Sequence, residues 1–108
     1  MNGEKLSKRL AMVASFVPKG ARVADIGSAH AYLPVLLIKS GKISYAVAGE
    51  VAKGPFESAQ QEVAKHSLDE QISVRLANGL AAISAADQID TLTIAGMGGQ
   101  LMTDILSK

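Results

Sequence analysis

An α/β domain built on a parallel sheet is the fold that this chain of 108 residues predicts. Three observations carry that prediction. Four short apolar runs recur at 22–27, 44–49, 72–76 and 91–95, each with the length and residue types of a strand. Segments with helical spacing lie between them, and the first two runs are separated by the length of a βαβ crossover. The runs end in small or polar residues, Asp25-Ile26-Gly27, Gly49-Glu50, Asn78-Gly79 and Gly96-Met97-Gly98-Gly99. Those ends are where an open parallel sheet receives a ligand.

Taken in order, Leu6, Leu10, Val13 and Val17 repeat at helical spacing and predict an amphipathic helix over 5–17, stopped by Pro18-Lys19-Gly20. Residues 22–27 are near-continuously apolar, as a strand buried on both faces requires. Leu33, Leu36 and Leu37 mark a second helix that admits Pro34 in its first turn and ends at Gly41. Ser44 to Gly49 is the second strand, closed by Glu50. Gly54-Pro55 opens a third helix carrying Phe56, Ala59 and Val63 on one face. Ile72, Val74 and Leu76 alternate as a third strand, and a short helix over 80–85 leads to Ile89. Thr91 to Ala95 is the fourth strand; Leu101, Met102 and Ile105 then predict a last helix over 100–107.

Four strands alternating with helices define a Rossmann-like sheet, and this order is that of the first half of a doubly wound domain. On this reading a single domain spans 1–108, and nothing covers the outer edge of the fourth strand. An open apolar edge invites self-association, so a self-associating binding module is one expectation.

With 48% hydrophobic and 19% charged residues the chain folds around a core. It has no cysteine, which excludes disulfides and thiolate metal sites, and no metal site is expected. No apolar run approaches the roughly 20 residues of a membrane span, and the N-terminal stretch lacks the apolar region of an export signal. A cytoplasmic location is the expectation. Charge is uneven: residues 1–42 carry seven basic groups against Glu4 and Asp25, a balance of +5, whereas residues 54–104 carry Lys65 and Arg75 against seven acids, a balance of −5. A basic first third suits a nucleic-acid-facing side as well as an ordinary solvated surface.

The strand ends hold the chemistry. Gly27, Ala29 and Ala31 place small residues at the alternating positions of a glycine-type turn, where a backbone lets a ligand approach closely. Glu50 follows about 20 residues later, where an acid takes ribose hydroxyls. Asn78-Gly79 is either an adenine contact or an ordinary turn. Three glycines in 96–99 cost backbone entropy, which close approach by a ligand explains. Two cofactor classes fit, a dinucleotide and S-adenosylmethionine. The dinucleotide wants a full glycine set and a pyrophosphate on the helix N-terminus. The acids Asp25 and Glu50 with Asn78, and the looser turn, favour S-adenosylmethionine; an NAD-binding domain is the weaker alternative.

The strings Asp-Ile-Gly-Ser-Ala-His-Ala-Tyr-Leu-Pro (25–34), Ala-Gly-Glu-Val (48–51), Gly-Pro-Phe (54–56), Val-Arg-Leu-Ala-Asn-Gly-Leu (74–80) and Thr-Ile-Ala-Gly-Met-Gly-Gly (93–99) resemble the bacterial tRNA (adenine-22-N1)-methyltransferase family. Leu-Ser-Lys-Arg-Leu (6–10) is similar to that family's first helix. The resemblance covers the whole chain. It implies the N-terminal part of a class I methyltransferase domain, with the remaining strands and a helical C-terminal domain outside the chain, S-adenosylmethionine as cofactor and tRNA as partner. Carried onto matching positions, it implies cofactor contacts from Asp25, Gly27, Ser28, His30, Glu50, Val51, Asn78, Gly79, Gly96 and Gly98. It implies a reaction centre at position 29, Arg9, Gly96 and Met97, and RNA contacts from Lys5, Lys8, Arg9 and Tyr32.

The family's turn holds Asp at position 29, where this chain holds Ala29. Adenine N1 carries its own lone pair, so positioning and an acceptor for the N6 amino group matter more than base catalysis. Losing such an acceptor costs on the order of 10²-fold in rate by analogy with other positioned groups. His30 is open between orienting a ligand and bonding the helix start; Tyr32 is open between stacking on a base and covering its helix.

Overall fold

A computed structural model describes residues 2–27, 30–77, 79–94 and 100–103, with backbone only for 2–7, 9, 79–80 and 100–103. The elements run α1 (Asn2–Phe16), β1 (Arg22–Ile26), α2 (Tyr32–Lys39), β2 (Tyr45–Glu50), α3 (Lys53–Lys65), β3 (Ile72–Leu76), two 3-10 turns (Gly79–Ala82 and Ala85–Asp87), β4 (Thr91–Ile94) and β5 (Gln100–Thr103). The sheet order is β3-β2-β1-β4-β5. β1 lies parallel to both β2 and β4, and β2 parallel to β3, whereas β5 runs antiparallel to β4.

Register and strand alternation divide the sheet into two faces. Val23, Ala46, Ala48 and Ile72 face the three helices and join Leu33, Leu37, Ala59 and Val63 in the larger core cluster, onto which Leu10, Val13 and Ala14 of α1 pack. Ala24, Val47 and Leu92 face the other way and meet Ile89, with Ile83 and Tyr45 alongside. The helical layer follows the expected spacing. Gly41 adopts φ +79 after α2, as its place beyond the last helical residue predicts, and its N–H donates to the Ile38 carbonyl at 3.0 Å. Lys42 sends its ammonium to the Ala14 carbonyl at 2.6 Å, supplying the cation that the last turn of α1 lacks.

The chain differs from the sequence expectation in two places. The helix expected over 80–85 is instead the pair of 3-10 turns. Ser84 is extended (φ −116, ψ 162), and its N–H and hydroxyl both donate to Asp87 Oδ2, at 2.7 and 3.1 Å. That side-chain capture restarts the chain at Ala85, which ends the first turn at Ala82. The last helix expected over 100–107 is contradicted over its first four residues: Gln100–Thr103 forms β5, with Thr91 opposite Thr103 and Ile94 opposite Gln100. An edge on β4 carries a row of backbone donors and acceptors that must pair, and that demand outweighs the weak helical spacing of Leu101, Met102 and Ile105. It follows that the fourth-strand edge is covered, and the expected self-association through it lacks its surface. The described sheet has five strands, its edges being β3 and β5.

Candidate functional site

The carboxyl ends of β1 and β2 meet at a turn whose backbone is unusual at both of its described ends. Gly27 has φ +70, and its N–H donates to the Gly49 carbonyl at 2.9 Å, extending the β1–β2 ladder by one bond. Ala31 has φ +58 and ψ 24, is fully buried, and accepts the first bond of α2 from the Val35 N–H at 3.0 Å. A left-handed alanine costs about 1–2 kcal/mol. Strain of this kind persists where the surroundings over-determine it, and it concentrates at ligand turns.

Two carboxylates flank that turn. Asp25 is fully buried at the end of β1, and Thr93 in β4, directly opposite, donates its hydroxyl to Asp25 Oδ1 at 2.7 Å. Glu50 closes β2 and is 5% exposed. The register sets Asp25 against Ala48, so Asp25, Thr93 and Glu50 all project to the helical face of the sheet at its carboxyl edge. The Ala77 N–H donates to the Glu50 carbonyl at 2.8 Å, which carries the β2–β3 ladder up to the Asn78-Gly79 segment.

The 3-10 turn that begins at Gly79 is fixed to the opposite face. A Cβ on Gly49 would lie 3.0 Å from Ala82 Cβ and 3.3 Å from Ile26 Cδ1, so only glycine lets Ala82 sit down on β2. Arg75 donates Nη1 to the Ala82 carbonyl at 2.8 Å, and reaches Asp87 Oδ2 through Nη1 at 2.6 Å and Oδ1 through Nη2 at 2.8 Å. The Tyr45 hydroxyl donates to Asp87 Oδ1 at 2.9 Å, and Arg22 lies 4.4 Å over the Tyr45 ring while its Nε donates to the Asp87 carbonyl at 2.7 Å. The Arg75 guanidinium, with help from the Ser84 and Tyr45 donors, holds the Asp87 carboxyl far below the ordinary carboxylate range against its burial. Asp87 in turn holds Arg75 above its usual value, and burial followed by the Asp87 bond raises Tyr45.

Of the residues expected at the site, the structure brings together Asp25, Gly27 and Glu50. It leaves Val51 in solvent beside Glu50 at 66% exposure. His30 is exposed and stacks on the half-buried ring of Tyr32, centroids 5.0 Å apart and 23° between planes. Ser28, Ala29, Asn78, Gly96, Met97, Gly98 and Gly99 lie outside the described residues, as do the side chains of Lys5 and Arg9; Gly79 is described by its backbone, in a 3-10 turn. Thr93, the partner of Asp25, was not among the expected residues. The alternation Thr91-Leu92-Thr93-Ile94 puts a hydroxyl on the carboxylate's face of the next strand, and that pattern was the available signal.

A sheet of this order, with acids and a strained turn at its carboxyl edge, is the N-terminal half of a Rossmann-like methyltransferase fold. The chain belongs to the Methyltransferase domain family, which matches residues 6–108. Among named proteins it is similar to the Bacillus subtilis tRNA (adenine(22)-N(1))-methyltransferase, at 52% identity over 106 residues, covering 98% of this chain and 44% of that protein. Among solved structures it is similar to a Streptococcus pneumoniae protein in complex with S-adenosyl-L-methionine, at 56% identity and a TM-score of 0.80 over 82% of this chain and 42% of that one. It also resembles TrmK of M. capricolum in complex with S-adenosyl-homocysteine, at 36% identity and a TM-score of 0.73 over 80% of this chain and 39% of that one. The chain therefore spans under half the length of these relatives.

Proposed function

We propose that the chain forms the cofactor-binding part of an enzyme that transfers a methyl group from S-adenosylmethionine to N1 of an adenine in tRNA, a reaction of the cytoplasm. One observation carries this reading: Asp25 and Glu50 are buried on one face of neighbouring strands at the carboxyl edge, beside a turn with left-handed residues at Gly27 and Ala31. The donor set fits the cofactor. Carboxylates attract hydroxyl and ammonium donors, as a ribose and an amino-acid tail present, and repel a pyrophosphate. That preference supports S-adenosylmethionine over a dinucleotide. The two relatives solved in complex with S-adenosyl-L-methionine and S-adenosyl-homocysteine support it further.

In this reading Glu50 accepts the ribose hydroxyls, and Asp25, its orientation fixed by Thr93, faces the amino-acid tail. The family resemblance assigns the remaining cofactor contacts to Gly27, Ser28, His30, Val51, Asn78, Gly79, Gly96 and Gly98. Bound S-adenosylmethionine supplies an electrophilic methyl on a sulfonium sulfur, and adenine N1 supplies the lone pair that receives it. The chain's own part is to orient the base and exclude water, a role the family resemblance assigns to position 29, Arg9, Gly96 and Met97. Lys5, Lys8, Arg9 and Tyr32 serve the RNA.

Calorimetry with S-adenosylhomocysteine tests the reading. Binding is expected, and Glu50→Gln weakens it by about tenfold or more, the loss of charge-assisted bonds. Absence of heat at millimolar ligand removes it. Methyl transfer to a tRNA transcript, with Ala29→Asp beside it, then reports position 29: an increase on the order of 10²-fold is expected, and equal rates exclude a role for that side chain.

A further inference from the structure

The chain that follows β3 leaves the end of β2 and comes back to it within a few residues. It leaves where the Ala77 N–H donates to the Glu50 carbonyl at 2.8 Å. It returns at Ala82, which is 2% exposed and lies so near Gly49 that a Cβ there would meet it at 3.0 Å. Both anchors fall on consecutive residues of one strand, and Glu50 is the buried acid at the carboxyl edge. Between them stand positions 78 and 79, to which the reading above gives cofactor contacts.

A guanidinium fixes the return. Arg75 Nη1 donates to the Ala82 carbonyl at 2.8 Å; Asp87 accepts from the same Nη1 on Oδ2 at 2.6 Å and from Nη2 on Oδ1 at 2.8 Å. The Ser84 N–H also donates to Asp87 Oδ2, at 2.7 Å. The pair thus grips the chain before the loop, at its last residue and two residues beyond. Cover for the apolar strands needs area without direction, and Ile83 with Ile89 contributes that. A bidentate ion pair adds direction. Reading the edge of a base depends on direction, because a hydrogen bond weakens steeply as its angle closes and a recognition group works only when held within about 0.5 Å.

We infer that Arg75 and Asp87 are positioning residues for base recognition, holding the loop 77–82 so that the contacts assigned to Asn78 and Gly79 meet the edge of an adenine in one geometry. The pair stands on the face of the sheet opposite to Asp25 and Glu50 and acts through the loop. This deepens the cofactor reading above and rests on it.

Calorimetry with S-adenosylhomocysteine and with S-inosylhomocysteine tests the pair, since the two ligands share the ribose and the amino-acid tail and differ at the edge of the base. The wild type is expected to prefer the adenosyl ligand by about tenfold, the order of one hydrogen bond made against one left unpaired. Asp87→Asn and Arg75→Lys should each bring that preference to within about twofold, chiefly by weakening the adenosyl ligand. Val63→Ala is the control for stability: Val63 is buried on the helical face in α3, so its truncation lowers the thermal midpoint and should keep the wild-type preference. All titrations are run well below each variant's midpoint, and Arg75→Lys, which retains a cation beside Asp87, carries the test where Asp87→Asn fails to fold. The inference is overturned if both variants of the pair keep the wild-type preference, or if Val63→Ala loses it to the same extent. A wild type that binds both ligands equally overturns the inference and leaves the cofactor reading; one that binds neither removes both.

Discussion

On one face of the sheet α1, α2 and α3 cover the strands with aliphatic side chains; on the other, two 3-10 turns are tied down by a single aspartate. The helical face buries Leu33, Leu37, Ala59 and Val63 against Val23, Ala46 and Ala48, and its buried polar groups Asp25, Thr93 and Glu50 gather at the carboxyl edge. Among the described residues, the opposite face sets the small Ala82 with Ile83 and Ile89 of the covering segment against Ala24, Val47, Gly49 and Leu92. It makes up the difference with Arg75, Asp87, Tyr45 and Arg22. Apolar burial is non-directional and tolerates small shifts. A bidentate ion pair with four further donors fixes one geometry or none. The segment that leads out of Asn78-Gly79 is thus held by direction, and the helices by area.

The largest effect should come from the helical face. Leu37 is fully buried, and Leu37→Ala should cost about 3–4 kcal/mol, within the range for leucine truncation in a close-packed core. Urea unfolding followed by circular dichroism measures it. A loss under about 1 kcal/mol would mean that the layer collapses onto the space, and that this face is less tightly packed than its burial indicates.

A smaller loss, with a pH signature, is expected across the sheet. Asp87→Asn removes the charge from a carboxylate that is 6% exposed and leaves Arg75, 30% exposed, without its counter-ion. A cost of about 2 kcal/mol at pH 7 follows, toward the low end for a broken buried pair because Arg75 can reach water. The folded Asp87 has its pKa lowered. Its contribution is therefore present above the unfolded carboxylate pKa of about 4, and is lost as pH falls from there toward the folded value. Stability measured between pH 5 and 2 should fall more steeply in the wild type than in Asp87→Asn. Parallel curves would place the pair's worth in packing and leave electrostatics out of it.

The same contrast explains how much was legible in the sequence. The helical face announces itself through period: Leu33 and Leu37, or Ala59 and Val63, place a helix and its buried side without reference to the rest of the chain, whereas Leu36 of the same pattern is exposed. The acids at the site were legible for a related reason, since Asp25 and Glu50 each end a strand-like run. Arg75 and Asp87 carry no such local sign. Twelve positions apart, they read as one charged residue in a strand and another in a loop. The bond that joins them exists only after β3 and the turn at Ala85–Asp87 have been brought together. The strand Gln100–Thr103 was illegible for a third reason, because its conformation is imposed by the unpaired edge of β4 and not by its own residues.

The finest test of the polar face is its outermost hydroxyl. Tyr45→Phe keeps a ring beneath the Arg22 guanidinium, so the cation–π contact at 4.4 Å survives. What goes is the bond donated to Asp87 Oδ1 at 2.9 Å and the long one accepted from Arg75 Nη2 at 3.4 Å. Asp87 retains both Arg75 bonds and the two from Ser84, so the loss should be about 0.5–1.5 kcal/mol at pH 7. Burial, and then the bond to Asp87, raise the pKa of Tyr45. The neutral hydroxyl is the form the fold prefers, and its contribution is present below the unfolded pKa of about 10 and lost as pH climbs through the higher folded value. Wild type and Tyr45→Phe should accordingly converge in stability above pH 10, by urea unfolding at stepped pH. In a double-mutant cycle Tyr45→Phe should cost almost nothing once Asp87→Asn is in place, because the acceptor that made the hydroxyl useful has lost its charge.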